Sequence, residues 1–198
     1  MRLFVALDIP QNAAAYIAGV QQRLRQEVAA ERWQPLDNLH LTLHFLGDVP
    51  ESLLPDLCGD MDIVSAIINP FSLKAGGFGA FPHAEHPRVL WLGLRGQTSP
   101  LKQLHLLLGK RFDLHDGLSY DRKQYRPHIT LARGPHVQGD GLPLLEWNER
   151  FLATPPPHWQ VRHVHLYQSE LKPQGAVHTV IHTSTFAKEH SKKQAVLE

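Results

Sequence analysis

A chain of 198 residues with 42% hydrophobic and 20% charged side chains can bury one substantial core, and its composition is that of an ordinary globular protein. Twenty basic against nineteen acidic residues leave a net charge of +1, so no surface-wide positive field marks a nucleic-acid coat protein, and a polyanion would have to meet a local patch. The single cysteine, Cys58, excludes an internal disulfide and a multi-cysteine metal cage, and no apolar run approaches the roughly 20 residues of a membrane span.

In chain order, Arg2–Ile9 reads as a strand ended by Pro10, and its apolar stretch is too short for a signal-peptide core. A cytoplasmic location is the default expectation. Residues Gln11–Glu31 carry Ala13, Tyr16, Ile17, Val20, Leu24 and Val28 at near-helical spacing, which predicts an amphipathic helix, with Trp33-Gln34-Pro35 as a connector. Leu39–Leu46 is a strand, Pro50 to about Ile68 a helix, and Phe71–Phe81 a strand whose Gly76, Gly77 and Gly79 suggest a bulge or a close backbone approach. Arg88–Leu94 returns as the partner of a hairpin, and Ser99–Leu114 resumes helical spacing. After a further strand around His128 come a loop, a short helix near Pro143–Phe151 and the proline run of Thr154–Pro157. Two strands, Trp159–Leu171 and Ala176–Phe186, close the chain as a hairpin around Pro173-Gln174-Gly175. The order of elements suggests an imperfect internal duplication and an α+β fold with antiparallel sheet.

Two short segments stand out against this plan. His40-Leu41-Thr42-Leu43 and His128-Ile129-Thr130-Leu131 repeat one pattern, each on a strand-like stretch free of glycine and proline. Alternation along a strand sets His and Thr on one face and the apolar residues on the other. A histidine can move a proton near neutral pH, and a threonine hydroxyl can hold an anionic oxygen. With fourteen histidines in the chain one such match means little, but two extended matches, one in each half, invite a joint role.

Metal and serine chemistry fit less well. His40 and His44 stand four apart on a strand, roughly 13 Å, too far to share a metal. His163 with His165, and His178 with His182, read as structural or sheet-surface histidines. No Gly-x-Ser-x-Gly elbow occurs, and Gly76-Gly77-Phe78-Gly79 lacks the Lys-Ser/Thr ending of a phosphate loop. Two histidines without metal suit a phosphodiester, which needs a base for the attacking oxygen and an acid for the leaving oxygen. Threonines would hold the non-bridging oxygens, and Arg133, five residues beyond His128, is the candidate cation, with Arg126 a weaker alternative.

The two H-x-T-x motifs, the first continued by Phe45-Leu46-Gly47 and the second set in R-P-H-I-T-L-A-R, resemble those of the two-histidine phosphoesterase superfamily. The opening R-L-F-V-A-L-D-I-P and the late L-Y-Q-S-E-L narrow the resemblance to the RNA 2′,3′-cyclic phosphodiesterase family, also called 2′-5′ RNA ligases. The resemblance runs over residues 1–187, which it implies form a single bilobal, pseudo-symmetric catalytic domain with one motif per lobe. It implies two antiparallel sheets flanking a central cleft, with helices outside, and leaves residues 188–198 as a polar tail. It implies hydrolysis of a 2′,3′-cyclic phosphate to a 2′-phosphomonoester without metal or cofactor. His40 would then be the proton donor and His128 the proton acceptor, with Thr42, Thr130 and Arg133 on the phosphate. RNA ends or cyclic nucleotides are the implied partners, with no membrane and a monomeric chain. Ligation, another cyclic phosphate, or capture of RNA ends without catalysis remain the alternatives at this point.

Overall fold

The computed structural model describes residues 1–137, 139–173 and 175–187. Strand β1 (Arg2–Asp8) buries all of Leu3–Leu7, which only a strand covered on both faces can do. Helix α1 (Gln11–Leu24) follows Pro10 and buries Ala13, Ile17, Val20 and Leu24, three or four apart. It ends well short of the expected Glu31. Residues 25–27 close a turn, and Ala30–Trp33 form strand β2 instead. The apolar spacing was compatible with more helix there; an available sheet edge won the segment, a tertiary choice that local periodicity does not record.

The remaining elements are β3 (His40–Asp48), α2 (Leu54–Ser65, with the half-buried Cys58), β4 (Phe71–Phe81), β5 (Val89–Gly96), α3 (Thr98–Phe112), β6 (His128–Pro135), α4 (Leu144–Phe151), β7 (Trp159–Val161), β8 (His163–Lys172) and β9 (Gly175–Thr185). Their pairings are antiparallel and run in the order β7-β4-β5-β6-β3-β1-β8-β9, with β2 on β6, as one nine-stranded sheet. Its two halves, β7-β4-β5-β6 and β3-β1-β8-β9, mirror one another about the β3–β6 seam. That seam consists of one register pair, Leu41 opposite Ile129. Two antiparallel sheets thus meet along a single bridge, and β2 takes over the edge of β6 where β3 leaves it.

The helices lock the halves by crossing between them. Gln21 of α1 donates from Nε2 to the carbonyls of Leu131 and Gln34, both at 3.0 Å, so a helix that follows β1 braces β6. Helix α3, which follows β5, packs in turn against β3 and α2. Between them lies one continuous core of buried side chains.

The expected final strand Trp159–Leu171 is in fact two. It breaks at Arg162, so that β7 pairs with β4 in one half and β8 with β1 in the other. The alternation changes phase there, from Trp159 and Val161 buried to Val164 and Leu166 buried, with Arg162 and His163 as two polar residues in a row between them. In the expected turn, Gln174 lies outside the described residues, as does the tail 188–198.

The glycines of β4 do what their placement suggested. The register against β5 slips between Ala75 and Phe78, and a Cβ on Gly76 would stand 3.1 Å from the Gly93 carbonyl carbon. A Cβ on Gly79 would lie 2.1 Å from the Trp91 ring, which packs on Phe81 at 5.1 Å and cannot swing freely. Gly79→Ala should therefore destabilise the protein by about 1–3 kcal/mol through overpacking, read as a lower urea midpoint at unchanged slope. A midpoint equal to the parent's would mean that the indole has another place to go.

Candidate active site

The Leu41–Ile129 pair sets the geometry of the site. Residues flanking such a bridge face each other across an antiparallel seam, so His40 lies toward Thr130 and Thr42 toward His128. Leu41, Leu43, Ile129 and Leu131 are buried beneath, as alternation requires, while both histidines and both threonines sit half-buried on the opposite face.

Each strand then carries a bulge one residue past its threonine. Along β1, Ala6 pairs with Thr42 but Val5 with His44, so Leu43 is extra. Along β5, Trp91 pairs with Thr130 but Leu90 with Ala132, so Leu131 is extra. Two successive side chains thereby turn to the core: Leu43 with His44, and Leu131 with Ala132. The fifth residue after each histidine, Phe45 or Arg133, swings back onto the site face. In a regular strand an odd offset would have pointed Arg133 away from His128; the bulge is what brings it in.

The two imidazoles are oriented in the same way. His40 Nδ1 lies 2.8 Å from the carbonyl of Asn38, and His128 Nδ1 2.7 Å from that of Arg126. A carbonyl only accepts, so Nδ1 holds a proton in either protonation state and Nε2 is left to exchange one. Arg126, the weaker candidate cation, thus serves through its backbone.

Each ring also has an aromatic surround. Phe4 lies 4.9 Å from His40 and stacks on Tyr167, while His178 meets His40 edge-on at 5.4 Å. His128 packs against Phe81 at 4.8 Å and Trp91 at 5.9 Å. Burial is accordingly the main influence on both. It pushes His40 down to about 4, helped by the positive neighbours His178, Arg133 and His128 and opposed by the Asn38 carbonyl. Burial also lowers His128, again against its carbonyl bond and with help from Arg133. A site that disfavours positive charge on both rings is poised for an anion to restore it.

That anion has a place. A pocket of about 180 Å³ is lined by His40, Thr42, His128, Thr130 and Arg133, with Phe45 and Phe81 as apolar walls. All five residues singled out in the sequence therefore share one cavity. Two proton movers, two hydroxyls and one guanidinium around a space of that size can bind and turn over a phosphoester. Among the described residues no group of three or more His, Cys, Asp and Glu side chains is arranged to hold a metal ion.

Residues 7–91 and 98–178 match the family described as LigT like Phosphoesterase. The chain belongs to the LigT-like phosphoesterase family. It is similar to the protein named RNA 2′,3′-cyclic phosphodiesterase from Thermus thermophilus, at 32% identity over 204 residues that take in 98% of this chain and 95% of the relative. The protein of that name from Thermotoga maritima is 29% identical over 186 residues, covering 94% of this chain and 96% of its own. Among solved structures, TT0787 of Thermus thermophilus superposes with a TM-score of 0.78 at 30% identity, covering 96% of this chain and all of that one (100%). Apo LigT of E. coli gives 0.73 at 26%, with 94% and 98% covered.

In this LigT-like phosphoesterase the other histidines divide in an unexpected way. His178, read from the sequence as a sheet-surface residue, belongs instead to the surround of His40, with its Nδ1 buried and unpaired. The start of β9 lies beside Asn38, whose Nδ2 donates to the Ala176 carbonyl at 3.0 Å, and nothing in local pattern announces that. His182 does serve the sheet surface, 2.9 Å from Asp62. His165 is held by Thr183 at 2.9 Å and Asp8 at 3.4 Å, a structural role. His44 is 2% exposed and stacks on His105 at 4.1 Å, which stacks on Tyr125 at 4.0 Å. The Tyr125 hydroxyl donates to the Thr42 carbonyl at 3.3 Å, so this column of rings ties the approach to the second motif onto the first. Phe4, Phe81, Trp91 and Tyr167 were likewise invisible as site residues, because apolar strand residues are ordinarily core. No helix among the described residues is long and apolar enough to cross a membrane.

Proposed function

We propose that this LigT-like phosphoesterase hydrolyses the 2′,3′-cyclic phosphate at an RNA end to a 2′-phosphomonoester, by acid–base catalysis from two histidines and without a metal. The observation that carries this reading is the matched pair of imidazoles, each fixed through Nδ1 and each lining one pocket with a threonine and Arg133. His128 Nε2 takes a proton from water as the water oxygen bonds to phosphorus. The P–O3′ bond breaks, and His40 Nε2 gives its proton to O3′. Thr42, Thr130 and Arg133 hold the equatorial oxygens as charge builds there. Solvent then returns a proton from His128 to His40. Relatives named for this activity, and an E. coli LigT structure complexed with 3′-AMP, support the substrate class. Residues 1–187 act as one bilobal catalytic domain with one motif per lobe. The working unit is a single chain, because one chain supplies both motifs, and its action on RNA suits the cytoplasm.

The test is turnover of a 2′,3′-cyclic mononucleotide in excess EDTA, with the product followed by its phosphorus resonance. The expected result is steady formation of the 2′-phosphate. A 3′-phosphate as sole product would reverse the leaving group, and activity abolished by EDTA and restored by zinc would overturn the two-histidine mechanism.

The pH profile gives an independent check. Both histidines ionise below the ordinary value in the free protein, where burial disfavours the imidazolium. A bound phosphate anion favours that form and raises both. The bell for kcat/KM, which reports the free enzyme, should therefore peak below pH 6.5, the reference histidine value, and both limbs of kcat should lie at higher pH. The limbs belong to the coupled pair and not to either residue. Limbs of kcat at or below those of kcat/KM would mean that the phosphate does not lie between the histidines.

A further inference from the structure

The pocket between the two motifs opens into a larger groove, about 430 Å³, along the β1 and β8–β9 side of the sheet. The two share Gln34, Asn38, His40, Phe45 and Arg133, so a molecule seated in one can continue into the other. This groove is lined by three arginines, Arg2, Arg32 and Arg133. The arginines that form ion pairs among the described residues are Arg111, Arg122 and Arg150, all elsewhere. Arg32 and Arg133 are register partners on β2 and β6, so two cations stand directly opposite each other across an antiparallel pair. Like charges so placed repel, and Arg133 is lowered by burial first and then by Arg32. One phosphate in the smaller pocket engages Arg133 and leaves Arg2 and Arg32 unanswered.

We propose that Arg2 and Arg32 form a second anion site, which takes the next phosphodiester of an oligonucleotide whose terminal phosphate lies between His40 and His128. This assignment rests on the functional reading above. The groove and the catalytic pocket have Phe45 in common, 52% exposed, and a nucleoside bridging the two phosphates would have that ring to lie against. Guanidinium groups suit the task, since their planar fork matches two phosphate oxygens. The structure thus separates the site into a part that does chemistry on any terminal cyclic phosphate and a part that measures whether a chain is attached. An oligonucleotide gains a contact that a mononucleotide cannot make. Both arginines are exposed, so neutral replacements leave the fold intact.

The experiment compares the wild type with Arg2→Gln, Arg32→Gln and the double variant on two substrates: a 2′,3′-cyclic mononucleotide, and a dinucleotide with one internal phosphodiester and the same cyclic end. Each single change should lower kcat/KM for the dinucleotide about tenfold, the scale of one lost charged hydrogen bond, and leave the mononucleotide within about twofold. The logarithmic salt dependence of dinucleotide turnover should become shallower by about one unit for each arginine removed. Calorimetric binding of a 3′-phosphorylated dinucleotide and of a nucleoside 3′-monophosphate is measured in the same proteins. Loss confined to the dinucleotide supports the second site even in a protein that turns over neither substrate, an outcome that would sink the activity and not the site. Equal losses on both ligands would reduce Arg32 to a neighbour that tunes Arg133, and an unchanged dinucleotide would remove the site altogether.

Discussion

Replacing His40 or His128 by alanine should cut turnover of a cyclic phosphate by about 10²–10⁴-fold in each case, the usual worth of one positioned proton transfer. The circular dichroism spectrum should stay that of the parent, because both rings are half-buried on the cleft face while Leu41, Leu43, Ile129 and Leu131 hold the core below. The two losses should not add in a double variant. Once either transfer is left to water, the concerted step that uses the other is also gone. Near-parental activity in either single variant would end the paired-histidine account. Thr42 and Thr130 are expected to matter less, since each supplies a hydrogen bond to an oxygen that other groups also hold.

Arg133→Ala should be the next most damaging change, lowering kcat by about 10²–10³-fold, as removal of one preorganised donor does elsewhere. Arg133 is the guanidinium that lines both cavities, and its loss leaves the threonines as the non-titrating donors on the phosphate. Arg133→Lys should regain only part of the rate. An ammonium is a point charge on a flexible stem and cannot reproduce a fork set by the bulged backbone of β6. Full recovery by lysine, read from steady-state kinetics, would reduce Arg133 to a general source of positive potential.

The motifs and the burial beneath them were legible because strand alternation is a local rule, and both copies obey it as far as the threonine. Arg133 was legible only by its nearness in sequence and by resemblance. Strict alternation from His128 would have turned it inward, and the register slip at Leu131 is decided by pairing with β5. Phe45 was lost for the same reason, behind the slip at Leu43. The helix expected to reach Glu31 gave way to β2 because a partner edge about 100 residues away in the sequence, Ala132–Pro135, was open to it. His178 joins the site from near the end of the chain, and the break at Arg162 sends one strand into each half. Apart from the phase change at Arg162–His163, these are long-range pairings that leave no local trace in a single sequence.

The paired bulges also make the site sensitive to chain length in a way that residue identity does not capture. Between His128 and Arg133, as between His40 and Phe45, the count of residues works like a phase. Taking one residue out of either bulge restores plain alternation and rotates everything beyond it by half a turn, so that an arginine or a phenylalanine changes places with the core. The histidine and the threonine, upstream of the slip, would keep their stations. A motif written only as letters misses this constraint: the interval is as much a part of the machinery as the residues at its ends, and it is inextensible where the surface loops are free to vary.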